Sequence, residues 1–416
     1  METIATLPVG LEHCLGHLRV FLSVAEKGSI TKSSEAIFKA SSAITRSVRE
    51  LEKGLGLPLF ERKPRGMMLN AFGQAVLRRA ERVDALVQQA ADDVFRTRVG
   101  SERSVLTNLL YGGRKLQLLV QIAETRHLST AAGRLGLGQA GASMSLARIE
   151  SGLGRPLFHR MVQGMVATDT TDKLITAAKR IFAELRHLES DMSAISGTLL
   201  GTVVMGALPL GRTYVIPSAI AATLAAHPRL RIRTVEGPYE TLAAALRTGD
   251  IDMIFGAVRS QSEALGLRTE PLFEDRIGIL ARAEHPLAGR EVIALDQVLD
   301  QMWILPRPDA PGRRLVDDSF HELGLEPPVA SVETGDLAVI RHLLSCSDLL
   351  TAMSPRQMQQ EIAAGLIREL PVILGRTVRH IGLTLRDGAL LSPAAHAVMD
   401  NIRHFSTTLQ STEPQA

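Results

Sequence analysis

The sequence predicts a multidomain fold: an α-rich front half in which a helix-turn-helix unit and a long helix occur twice, then an α/β half built as two lobes. Three observations carry that prediction. Residues 39–53 have the spacing of a helix with one apolar face and one polar, cationic face. Matching residues recur 98 positions apart through the front half, without a gap. After Gly197 the hydrophobic pattern changes to short apolar runs alternating with amphipathic stretches.

The first element in the argument is Lys39 to Lys53, KASSAITRSVRELEK. Ala43, Ile44, Val48 and Leu51 fall on one helical face, while Ser41, Ser42, Thr45, Arg46 and Arg49 are free to face outward. Upstream, AEKGSITKSSEAI supplies a turn at Gly28, a cap at Thr31 and a shorter helix carrying Ala36 and Ile37. Two helices joined by a tight turn, the second lined with hydroxyls and arginines, suit a DNA major groove.

Composition bounds the rest. A chain of 416 residues holds two to four domains, and 45% hydrophobic residues build real cores. Cys14 and Cys346 are far apart, with no CxxC or histidine companion, so buried or incidental thiols are expected rather than a zinc site or a disulfide framework. METIATLPVGLEH has no basic leader followed by a long apolar run, and no stretch of about 18 apolar residues appears; a soluble, cytoplasmic protein is expected. Charge is unevenly spread: 15 basic against 11 acidic residues over 1–100, 12 against 8 over 101–200, and 20 against 25 over 201–416. A basic head on an acidic body suits a nucleic-acid partner, although solvated surface alone gives the same count.

The repeat sharpens the choice. Leu18 matches Leu116, Ala25-Glu26 matches Ala123-Glu124, LGLPLF (55–60) matches LGRPLF (153–158), and Gly66 matches Gly164. It runs on into two long helices. Val76, Ala80, Val83, Val87, Ala90 and Val94 keep a 4-3-4-3 spacing, as do Leu174, Ala178, Ile181, Leu185, Leu188 and Met192, with Ile195 beyond. Each seam requires a partner helix. A second copy of the chain is the expected partner, packing within one chain the alternative.

At this point the residues match a known pattern. Leu18-Arg19-Val20-Phe21, Val24-Ala25-Glu26, Gly28-Ser29-Ile30-Thr31, Ala43-Ile44-Thr45-Arg46, Leu51-Glu52, Leu55 to Arg62 and Gly73 closely resemble the winged helix-turn-helix of LysR-type transcriptional regulators. The resemblance implies a winged helix-turn-helix over 14–73 and a linker or dimerisation helix over 74–99; in a departure from the family pattern, the 98-residue repeat adds a second, degenerate winged unit over 112–171 and a second such helix over 172–198. It further implies a two-lobed effector-binding domain over 201–410, like a periplasmic binding protein. Lobe I is expected at about 201–265 and 376–410, and lobe II at about 266–375.

By the same resemblance Ser41, Ser42, Thr45 and Arg46 sit at groove-facing positions, with Arg49 near the backbone or an adjacent base. Where relatives commonly carry Ser-Gln-Pro-Ala, this chain has Ala40-Ser41-Ser42-Ala43, so the long amide that suits an adenine is missing. The wing, Glu61 to Gly66, places Arg62, Lys63 and Arg65 around a Pro/Gly turn, as a phosphate or minor-groove contact requires. In the second copy Arg46 becomes Met144, Arg49 becomes Ala147 and RKPRG becomes RMVQG, while Gln139, Ser143, Arg148 and Arg160 offer a weaker second set of contacts. The first copy is therefore expected to read sequence, and the second to dimerise or add weak nonspecific contact, with two competent readers in one chain as the alternative.

From Gly201 the order strand, helix, strand, helix, strand predicts an open parallel sheet, and EDRIGILARAEHP is expected to open lobe II as a strand. A cleft between two such sheets binds small ligands at the strand ends. Arg212, Thr213, Arg307, Arg313 and Thr334 fall at strand-to-helix transitions and are expected to hold an anionic metabolite, such as an aromatic or sugar acid. No G-x-S-x-G, H-E-x-x-H or P-loop accompanies them, so no enzyme is expected, and no cofactor or metal. The expected partners are double-stranded promoter DNA, a small-molecule effector, RNA polymerase and a second copy in a homodimer or homotetramer, with no membrane. The alternative is a ligand-independent architectural DNA-binding protein.

Overall fold

The computed structural model describes residues 11–63, 66–95, 101–260, 262 and 264–411. Helices α1 (Leu11–Lys27), α2 (Ile30–Ile37) and α3 (Ser41–Leu55) lead to the hairpin β1 (Phe60–Lys63) and β2 (Gly66–Leu69), then the long α4 (Ala71–Val94). After α5 (Ser101–Leu110) the succession returns as α6 (Gly113–Thr125), α7 (Leu128–Arg134), α8 (Gln139–Leu153), β3 (Phe158–Met161), β4 (Gly164–Ala167) and α9 (Asp169–Ile195).

Both winged units rest on the same hydrogen bonds. Glu52 Oε1 accepts from the Leu59 amide at 2.8 Å, and Glu150 Oε1 from the Leu157 amide at 2.8 Å. Each wing is tied back to the turn after the first helix, Met67 N donating to Gly28 O and Met165 N to Arg126 O. That turn is left-handed in both copies: Gly28 has φ +61° and Arg126 φ +59°, so the second copy tolerates there a conformation glycine adopts freely. Asn70 and Thr168 cap the long helices through their side chains.

Two local expectations are corrected. Ser29 rather than Thr31 caps α2, because its extended backbone aims the hydroxyl at the Lys32 amide. On α3 the buried row is Ile44, Ser47, Val48 and Leu51, whereas Ala43 is exposed, one position off that 3-4 spacing.

The seams find each other. Val76, Ala80, Val83, Val87 and Ala90 of α4 are buried in one core with Leu174, Ala178, Ile181, Leu185, Leu188 and Met192 of α9. Arg79 lies beside Glu184 and Asp191, and Lys173 donates to Asp93 O, so the two helices run antiparallel. The expectation that a second chain fills these seams is thereby corrected: a covalent connection holds the complementary seam close by. The unforeseen α5 packs on α4, with Arg103 paired to Asp92, and the following Tyr111 hydroxyl donates to Asp84 Oδ1 at 2.7 Å. Cys14 is buried in the same core and Cys346 is exposed.

The effector half comprises β5 (Gly201–Ala207), α10 (Val215–Ala226), β6 (Leu230–Val235), α11 (Tyr239–Thr248), β7 (Met253–Ala257) and β8 (Leu267–Asp275). It continues through β9 (Gly278–Arg282), β10 (Trp303–Leu305), α12 (Pro311–His321), β11 (Ala330–Glu333), α13 (Leu337–Cys346), β12 (Leu350–Met353), α14 (Gln359–Ala363) and β13 (Ile367–Glu369). It closes with β14 (Arg379–Arg386) and α15 (Pro393–Ser411). Lobe I has strand order β6-β5-β7-β14-β8 and lobe II β11-β10-β12-β9-β13. β8 thus belongs to lobe I, and EDRIGILARAEHP is two strands in different lobes, split at Arg276-Ile277. β8 pairs antiparallel with β14, over a hundred residues on, which local pattern does not reveal.

Lobe I is bolted to α9. Buried Asp252 takes Arg186 Nη2 at 2.6 Å, the Val204 amide at 2.8 Å and a hydrogen bond with His187 Nε2 at 2.9 Å. Burial pushes its carboxyl up, but these partners outweigh that and hold it well below the usual carboxylate range. Lys179 joins Asp250 at 2.7 Å, and Arg79 reaches across to Leu390 O at 2.6 Å. Among the described residues no helix is long and apolar enough to cross a membrane.

Candidate nucleic-acid interface and ligand cleft

On α3, Ser41, Ser42, Arg46 and Arg49 are exposed and Thr45 is half-buried, its hydroxyl donating back to Ser41 O at 2.9 Å. Opposite them Ile44 and Val48 pack on Val20 and Val24 of α1. Ser47 Oγ shares a 2.7 Å hydrogen bond with His17 Nδ1, which fixes the rotation of α3 about its axis. Burial pushes the His17 pKa down, so the ring is neutral at pH 7. Arg62 and Lys63 lie on β1; their side chains, like Arg65 altogether, fall outside the described residues.

The second unit offers a different surface on the same frame. Gln139, Arg148 and Arg160 are exposed and Ser143 is half-buried. Met144, at the place of Arg46, is 58% exposed, and the wing shows Met161 and Val162 to solvent. Two thioethers and an aliphatic group donate no hydrogen bonds to base edges.

Between the lobes lies a cavity of about 200 Å³. Of the five effector contacts expected from sequence, Thr334 lines it. Arg212 and Arg307 are exposed and absent from its wall, Thr213 Oγ1 donates to Leu210 O, and Arg313 is held by Asp317 Oδ1 at 2.6 Å and by Pro328 O. The arginines in the wall are instead Arg259 and Arg379. Arg259 lies over the Tyr239 ring, 4.8 Å from its centre. Arg379 donates twice to Asp275 Oδ2, at 3.1 and 3.0 Å, while Ser354 of lobe II donates to Asp275 Oδ1 at 2.5 Å.

Strand direction was the missing signal. Ligand clefts form at the C-terminal ends of parallel strands, and an antiparallel strand brings its beginning to that edge. β14 pairs antiparallel with β7, Ile381 opposite Ala257, which delivers Arg379 to the cleft. The N-termini of α12 (Ala310, Pro311, Gly312) and α13 (Thr334, Gly335, Leu337) also face it, and their dipoles add positive potential. Leu208, Ile277, Ile340, Met353 and Ile381 supply an apolar floor.

Known proteins share this arrangement. Residues 196–406 match the profile described as the LysR substrate binding domain, and residues 15–74 and 114–171 that of the bacterial regulatory helix-turn-helix proteins of the lysR family. The chain is 42% identical over 393 residues to the HTH-type transcriptional regulator GalR of Pseudomonas putida, covering 94% of this chain and 97% of that protein. The chain belongs to the LysR family of transcriptional regulators.

Other LysR-family proteins match less of it. The HTH-type transcriptional regulator PcaQ of Agrobacterium fabrum is 25% identical over 296 residues, 71% of this chain and 95% of that one. Full-length OxyR of Pseudomonas aeruginosa has a TM-score of 0.54 at 22% identity, over 70% of this chain and 93% of that chain, and shares the fold. An alignment covering 94% of this LysR regulator takes in both helix-turn-helix units; one of 296 residues falls short by about one unit. The protein is accordingly a DNA-binding transcriptional regulator with an effector-binding domain.

Proposed function

We propose that the first winged unit reads the operator, that the second holds the duplex with little regard to sequence, and that a small anionic effector in the cleft controls both. The observation carrying this is the contrast between two helices at equivalent positions of the repeat: α3 exposes Ser41, Ser42, Arg46 and Arg49, while α8 has Gln139, Ser143, Met144, Ala147 and Arg148 at its outer positions. Arginine beside short hydroxyls reads base edges, and cations in a wing hold phosphates. Parallel binding assays with Arg46→Ala and Arg148→Ala test the division. A large, sequence-dependent loss from the first and a small, uniform loss from the second are expected; equal losses defeat the reading.

For the effector, two arginines, two helix N-termini and an apolar floor favour a small carboxylic acid with an apolar body. Its binding shifts DNA affinity only through unequal affinity for two arrangements of the lobes. Asp275 is placed to bias that balance, since it joins Arg379 of lobe I to Ser354 of lobe II. A thermal-shift series of carboxylic acids against their amides on the full chain is expected to show acids stabilising and amides not. Equal stabilisation by the amides removes the anionic assignment.

A further inference from the structure

We infer that one chain supplies both helix-turn-helix units that grip an operator, so that its DNA site lacks two-fold symmetry. The inference rests on the reader and holder assignment above and adds where the second unit comes from.

The packing is that of a dimer closed within one polypeptide. α4 and α9 run antiparallel, α1 packs on α6, and exchanging residues by the 98-residue offset maps the helix pair onto itself. Arg79 beside Glu184, for example, maps onto Ala177 and Leu86, which line one shared pocket. Such a rotation places α3 and α8 at equal heights along its axis, the relation by which paired readers meet one side of a duplex. The apolar stripes that would recruit a second chain are already consumed: from Ile181 to Leu188 every residue of α9 is buried, between α4 on one side and lobe I on the other. No seam of α9 is left for another copy.

The two ends of the pair are not equivalent. Lobe I holds α9 through Asp250 and Asp252, and the Ala394 amide donates to Ser190 Oγ at 2.9 Å, whereas the outer face of α4 stays half-open to solvent. One effector cavity therefore serves two DNA-binding units, and those units carry different contact residues. A site matched to this chain has an informative half under α3 and a tolerant half under α8.

Selection of random duplexes by the full chain, followed by binding of the enriched site, tests this. Scrambling the informative half is expected to cost roughly a hundredfold or more in affinity, and scrambling the other half less than about threefold. Chains of two lengths, mixed on a duplex trimmed to one site, should give two shifted bands. A third, hybrid band overturns the inference, as does an enriched site with two equally specified, inverted halves. Met144→Arg with Ala147→Arg, both at exposed positions, should convert the tolerant half into a second informative one; no gain there also counts against it. Arg46→Ala separates the failures. If it leaves the selected sequence unchanged, the reader assignment is wrong whatever the bands show.

Discussion

The first winged unit and the second share hydrogen bonds at matching positions, from the Glu52 and Glu150 carboxylates to the wing amides of Met67 and Met165. Their surroundings differ. α4 leaves its outer face open to solvent, while α9 is enclosed and carries Glu184, Arg186 and His187 into buried ion pairs. Their outward faces differ again, Arg46 against Met144. Interior groups keep the frame because each buried polar atom needs its partner, whereas a solvent-facing side chain changes without disturbing the frame. The comparison separates the shape of a DNA-binding unit from its power to read.

The largest effect that tests the contrast is expected from Arg79→Ala. It deprives half-buried Asp191 of its partner and leaves buried Glu184 with Arg82 alone, and loss of one partner of a buried pair costs about 3–5 kcal/mol. Denaturant unfolding measures it; a loss under about 1 kcal/mol means the clamp between α4, α9 and lobe I is unimportant.

Acid should act on the same clamp. Burial pushes the Glu184 carboxyl up, yet Arg79 and Arg82 outweigh this and hold it below the ordinary range, as Arg186 and His187 do for Asp252. A depressed acid contributes stability that is present above its unfolded pKa and lost as pH falls through the folded one. Stability from these pairs should thus be level between pH 7 and about 5 and fall below about 4, near the unfolded carboxylate values. A melting temperature dropping steeply above pH 5 would contradict this assignment.

Smaller effects belong to the DNA face. Arg46→Ala should cost about 1–3 kcal/mol at the preferred site and flatten discrimination among sequences. Smallest is Lys63→Ala, expected to weaken all duplexes alike and to lower the salt slope by about one. If Lys63→Ala altered sequence preference instead, the wing would be a reader.

Several features were legible from spacing alone. Ile44, Val48 and Leu51 mark the buried face of α3, and the repeat announces two similar units, because both signals are periodic and local. Others were not. The Thr31 cap lost to Ser29, since capping depends on a backbone angle. Arg313 looked like a ligand contact but spends its guanidinium on Asp317, one turn along α12. Arg259, just past β7, and Arg379, the first residue of β14, are over a hundred residues apart, and only the antiparallel pairing of the two strands brings them to one cleft.

By itself the sequence determined most of the element types, the doubled unit, the apolar seams and the cationic outer face of α3, since each follows from residue order within a few turns of chain. Tertiary structure alone decided that the seams close on each other, that β8 crosses into lobe I, and which arginines enter the cleft. Those outcomes depend on contacts between residues far apart in the chain, where the partner is chosen by competition among surfaces of similar hydrophobicity and settled by connection length, strand direction and buried charge.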